Sequence, residues 1–88
     1  MKTPEEPQEP RIHYPCPWTY AIIGLDEEDL RLAVGRIVGG RPHQLRFSKR
    51  SSGGKYFSLH LELEVASEED RNQIFVALQN DPKIKTVL

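Results

Sequence analysis

From Phe57 onward apolar and polar residues alternate without a break. Phe57, Leu59, Leu61, Leu63 and Val65 share one parity, and Ser58, His60, Glu62 and Glu64 the other. A period of two means a strand with one covered face and one wet face. Trp18 to Ile23 is an aromatic and β-branched run that Gly24 ends, so it reads as an earlier strand. Its core parity holds Trp18 and Tyr20; Thr19, Ala21 and Ile23 face outward. Leu45 and Phe47 alternate with Arg46 and Ser48 in a short strand, and Ile84 to Leu88 forms the last one. Between these runs the period lengthens. Leu30, Ala33, Val34, Ile37 and Val38 follow at helical spacing behind Asp26 as N-cap. Glu27, Glu28 and Asp29 fill a first turn where acids suit the helix dipole, and Gly39-Gly40 then Pro42 stop the helix. Gly35 inside it costs about 1 kcal/mol relative to alanine, which close packing on a sheet would explain. Ser67 caps a second helix with Glu68, Glu69 and Asp70 in its first turn; Ile74, Ala77 and Leu78 line its inner side, and Asn80-Asp81-Pro82 breaks it.

The order is β-α-β-β-α-β. Two crossover helices on one side of a four-stranded antiparallel sheet make an α+β, ferredoxin-like architecture. Right-handed crossovers give the strand order 4-1-3-2, with both helices on one face and the other face open. Before the first strand, Pro4, Pro7, Pro10 and Pro15 remove backbone donors and forbid regular helix. Residues 1–14 are therefore expected to be a disordered Pro/Glu-rich tail, and residues 15–88 the domain.

Several residues also carry a family resemblance. Trp18-Thr19-Tyr20 with Gly24 four residues on, Ser51-Ser52 followed by Gly54 and Tyr56, and the closing Val87-Leu88 resemble the YbeD-like family of small bacterial proteins. The resemblance spans roughly residues 15–88 and implies a ferredoxin-like fold similar to the ACT regulatory domains of amino-acid metabolism. It supplies no catalytic residue to carry over. The proline-rich start and the arginine-rich middle depart from the family pattern.

Length and composition narrow the function classes. Eighty-eight residues, 38% hydrophobic and 28% charged, make one small globular domain, whose core leaves little room for a deep active site. The single cysteine, Cys16, excludes an intramolecular disulfide. The acidic, proline-rich start lacks the basic and apolar regions of a signal peptide. The longest unbroken apolar run, Ala21-Ile22-Ile23, is far short of a bilayer span of about 20 residues. The expected compartment is the cytoplasm, with no membrane contact.

Most site chemistries fail on residue type or spacing. Gly54-Lys55 lacks the upstream glycine and the following Ser/Thr of a phosphate-binding P-loop. His13 and Cys16 are three apart, but two ligands on an irregular segment do not make a zinc site. Cys16 as a nucleophile and His60 beside Glu62 as a general base both lack the partners such chemistry needs. On the open face only Tyr56 is placed to stack a base, while Glu62 and Glu64 would repel phosphate. No enzyme activity, cofactor or metal is expected.

The charge pattern changes the picture more. Residues 30–61 contain no Asp or Glu, yet hold Arg31, Arg36, Arg41, Arg46, Lys49, Arg50 and Lys55. A net charge of −1 thus conceals a local positive potential. Two readings stand side by side: a surface neutralised in space by Glu62, Glu64 and the helix acids, or a contact for an anion or an acidic partner through Arg46, Lys49, Arg50 and Lys55. The leading expectation is a non-enzymatic regulatory or protein-binding module. The resemblance to ACT domains implies a small effector near Gly24 and Leu25, held at a homodimer interface because one monomer has little concave surface. A tight turn explains Gly24 equally. The alternative is polyanion or nucleic-acid binding through the basic hairpin, with nucleic acid disfavoured by the acidic open face.

Overall fold

The computed structural model describes residues 12–51 and 53–88. Residues 1–11 of the expected tail lie outside the described residues. Strand β1 runs Cys16–Gly24, helix α1 Glu27–Val38, strand β2 His43–Arg50, strand β3 Phe57–Val65, helix α2 Glu68–Asn80 and strand β4 Thr86–Val87. The sheet order is β2-β3-β1-β4, all antiparallel, as the crossover argument requires. Among the described residues no helix is long and apolar enough to cross a membrane.

The core lies between the two helices and one face of the sheet. Tyr20 and Ile22 of β1, Leu59, Leu61, Leu63 and Val65 of β3, Leu30, Ala33, Val34 and Val38 of α1, and Ile74 and Leu78 of α2 are buried. Ile84 and Val87 close it from the last segment. Asp26 caps α1 by accepting from the Asp29 N–H at 3.0 Å, and Ser67 caps α2 by accepting from the Asp70 N–H at 3.0 Å.

Four local differences from the sequence reading have physical reasons. β2 is longer than its Leu45–Phe47 kernel, because as an edge strand it is exposed along most of its length and carries little apolar alternation. β4 is only two residues, because the turn after Asp81 carries into it: the Ile84 N–H bonds Asp81 O, and the chain reaches β1 at Lys85, whose N–H bonds Ile23 O at 2.7 Å. Beyond β4, Leu88 exchanges both backbone bonds with Ala21. Tyr14, assigned to the tail, is part-buried against the core. Gly35 does not bring α1 close to the sheet. It is exposed, and a Cβ there would meet nothing within 4 Å.

Candidate functional site

The seven cations of residues 30–61 separate into two groups. Arg31 bonds Glu27 at 2.7 Å one turn back on α1. Arg36 meets Asp81 at 2.8 Å, and Arg41 makes two bonds to Asp70, at 2.9 and 2.8 Å. These three are neutralised. The hairpin cations are not. Arg46 approaches Glu62 only to 3.9 Å, and Lys49, Arg50 and Lys55 form no ion pair among the described residues. The guanidinium of Arg50 instead lies 5.5 Å from the Phe57 ring centroid, and the Lys55 ammonium 5.5 Å from that of Tyr56.

A bulge arranges this group. β2 pairs with β3 through Arg46↔His60 and Phe47↔Leu59, then slips one residue so that Lys49 pairs with Ser58 and Arg50 with Phe57. Directly opposed residues share a sheet face. The slip therefore puts Lys49 on the open face with Arg46, where strict alternation would have turned it away. Arg50 falls on the helix side. The loop closes through Gly53 and Gly54, whose φ values of +85° and +71° favour glycine. The sequence reading placed Arg46, Lys49, Arg50 and Lys55 together; they share the hairpin, but Arg46 and Lys49 lie on its open face and Arg50 on its helix side. That reading did not foresee that Arg31, Arg36 and Arg41 leave the group, because their acids are contributed largely by α2 and the turn after it.

The remaining candidates stand apart. Gly24 is buried, and a Cβ on it would come within 2.7 Å of Leu30 Cδ2 and 2.8 Å of Lys83 O. Close packing of α1 and the last segment accounts for this glycine. Leu25 is exposed and, with Asp26, Asp29, Pro82, Lys83 and Lys85, lines a cleft of about 150 Å³ in which Lys83 pairs with Asp29 at 3.6 Å. His60 sits on the open face between Ala21 and Arg46. Cys16 is part-buried opposite Val65, and no group of three metal-ligating side chains converges among the described residues.

Sequence reasoning missed two clusters. In the first, Asp70 accepts from both nitrogens of Arg41 and from the Ala66 N–H, while Arg41 also donates to Glu64 O. The Arg41 hydrogen bond, then that from Ala66, holds the Asp70 carboxyl down at about 2. The same hydrogen bond raises the pKa of Arg41. In the second, the guanidinium of Arg71 lies 4.4 Å from the Trp18 ring centroid, and the Tyr20 hydroxyl donates to Arg71 O at 2.7 Å. Burial pushes the Tyr20 phenol up to about 12. Trp18 showed core parity; with more than fifty residues between it and Arg71, no local signal joins the two.

The fold and this surface define a small α+β domain with an apolar core and an unpaired basic edge. Residues 9–88 match the profile of a protein family of unknown function, DUF493, and the chain belongs to that family, the YbeD-like group its scattered markers resemble. An uncharacterized protein of Helicobacter pylori is 31% identical over 85 residues, covering 97% of this chain and 99% of its own. A UPF0250 protein of Hahella chejuensis is 29% identical, covering 98% of this chain and 99% of its own. The solution structure of protein HP0495 from H. pylori superposes with a TM-score of 0.79 at 29% identity, covering 100% of this chain and 97% of that one.

Proposed function

We propose that the domain is a non-enzymatic protein-binding module whose hairpin, β2–β3, receives an acidic segment of a partner protein. The observation that carries this reading is the uneven charge pairing: Arg31, Arg36 and Arg41 have a carboxylate within 2.8 Å, whereas Lys49, Arg50 and Lys55 have none among the described residues. The outer edge of β2 adds unpaired backbone groups beside these cations, and Phe47, on the helix side with Arg50, is 48% exposed. An extended acidic segment carrying an apolar residue complements all three features.

The same cations suit a nucleic acid, but the unpaired edge of β2 and the exposed Phe47 favour a peptide, which can add a strand there, over a phosphate backbone. A regulatory role with a small effector near Gly24 and Leu25, which the resemblance to ACT domains implies, has the cleft beside Leu25 in its support. It is less favoured, because that cleft is only about 150 Å³ and Lys83, one of its two lysines, is already paired with Asp29.

The test is titration of the full chain with a labelled acidic-apolar peptide and, in parallel, with single-stranded and duplex oligonucleotides, each at low and high salt. Peptide binding should fall with salt and be lost in the Lys49→Ala/Arg50→Ala variant, while stability stays within about 0.5 kcal/mol. Tighter binding to the oligonucleotides would replace this reading with the nucleic-acid one. No binding at low salt would leave the cations as solvated protection of an edge strand.

A further inference from the structure

On the helix-covered face, toward the sheet edge opposite β2, β1 and α2 line a groove of about 320 Å³. It is lined by Trp18, Tyr20, Arg71, Asn72, Phe75 and Leu88. We propose that this groove binds a small apolar carboxylate, with Arg71 as the anion partner and Trp18 and Phe75 as the walls.

The argument starts from Arg71. Its side chain is 19% exposed, and its guanidinium stacks over Trp18 at 4.4 Å. Stacking covers the face of the guanidinium but leaves its five N–H donors pointing outward in the plane. None of them makes a hydrogen bond among the described residues. The nearest carboxylate, Glu68, stands 3.9 Å away on the preceding turn, is 70% exposed, and lies beyond hydrogen-bond distance. The contrast with Arg31, Arg36 and Arg41 is direct, since each of those donates to a carboxylate at 2.9 Å or less. Arg71 is thus ordered by a ring and by its backbone, yet keeps its full capacity for a bidentate acceptor.

The groove sets the rest of the ligand. Two aromatic side chains and Leu88 supply apolar wall, and the Tyr20 hydroxyl is engaged with Arg71 O. Asn72 adds one amide. A volume near the lower end of ligand sites fits a single ring on a short acid arm rather than a nucleotide or a peptide. One guanidinium, with Arg41 occupied by Asp70, matches a monocarboxylate better than a phosphate dianion. The fixed stack also lowers the ordering cost of binding, because Arg71 need not be immobilised by the ligand.

The test is a chemical-shift titration of the full chain with indole-3-acetate and 3-phenylpropionate, each against its neutral amide. The acids should bind with Kd of about 1 mM or tighter, with shifts centred on the Trp18 indole N–H, Tyr20, Arg71 Nε–H and Phe75. The amides should bind at least about tenfold more weakly, since they cannot make the charged bidentate contact. Arg71→Gln should abolish acid binding, and Lys49→Ala/Arg50→Ala should leave it unchanged. Equal affinity for acid and amide, shifts that follow the hairpin instead, or no shift at ten times the expected Kd would each overturn the proposal. The acid–amide comparison on the unaltered chain stands even if Arg71→Gln loses stability. A negative result here leaves the hairpin reading intact, because the two surfaces share no residue.

Discussion

Replacing Asp70 with asparagine should destabilise the domain by about 1–2 kcal/mol at pH 7, and the loss should shrink in acid. Asp70 accepts three hydrogen bonds: 2.9 and 2.8 Å from Arg41 and 2.8 Å from the Ala66 N–H. It also sits in the first turn of α2, where a negative charge suits the dipole. Asparagine keeps one acceptor oxygen and turns an amide donor toward Arg41. The carboxyl lies at about 2 instead of the ordinary 3.8, held there by Arg41 and then by the Ala66 N–H. At 1.36 kcal/mol per pKa unit, that bounds the ionised form's contribution at roughly 2.4 kcal/mol. The Arg41 side chain is 38% exposed, so solvent screening brings the pair to about 1 kcal/mol, and the misdirected amide adds the remainder. Because the folded pKa is depressed, this stability is present above about 4 and is lost as pH falls through 2. Urea unfolding of both proteins at pH 7 and pH 2.5, followed by Trp18 fluorescence, reads the difference. A gap below about 0.3 kcal/mol at pH 7, or one of equal size at pH 2.5, would refute the network as a source of stability. A cycle with Arg41→Met isolates the pair term.

Tyr20→Phe should cost about 1 kcal/mol through the lost bond to Arg71 O. The phenol is raised to about 12, so the intact chain keeps this contribution below pH 10 and loses it as pH rises through 12; ¹³Cζ titration of Tyr20 checks the value, and ionisation near 10 would contradict its burial. Two glycines should respond with opposite sign. Gly24→Ala forces a Cβ against Leu30 and Lys83 O and should cost about 1–3 kcal/mol; Gly35→Ala meets open space in mid-helix and should stabilise by about 1 kcal/mol, and thermal melts that rank the two the other way would overturn both readings. Leu61→Ala, at a fully buried strand position, should cost roughly 2–5 kcal/mol in urea unfolding, and a change below about 0.5 kcal/mol would mean that the faces of β3 are reversed.

What the sequence showed and what it hid follow from how far each signal reaches. The alternation of β3 is local and unbroken, so its face and its central place were readable. Asp26 and Ser67 announced both helices for the same reason. β2 was readable only at Leu45–Phe47, because an edge strand lacks the burial that produces alternation. Gly35 and Gly24 look alike as letters. One faces water and the other abuts a carbonyl contributed from residue 83, and only the assembled chain separates them. The ion pairs were hidden most completely. Arg36 meets an acid 45 residues away and Arg41 one 29 away, so part of a run without acids in sequence is neutralised in space.

That neutralisation has a pattern. Arg36 and Arg41, at and just past the C-terminal end of α1, meet acids of α2 and the turn after it, and Arg31 meets Glu27 one turn back on its own helix. Three cations that found no carboxylate at short range, Arg50, Lys55 and Arg71, lie over the rings of Phe57, Tyr56 and Trp18. The two kinds of partner differ physically. A carboxylate cancels the charge and fills the donors. A ring attracts the cation through its quadrupole, orders the side chain, and leaves both the net charge and the in-plane donors available. An arginine or lysine on an aromatic face is therefore held in place without being satisfied. The domain keeps two such places on separate surfaces. The hairpin offers several cations along an exposed edge, which suits an extended acidic segment. The groove beside Trp18 offers one guanidinium between apolar walls, which suits a single carboxylate on a small body.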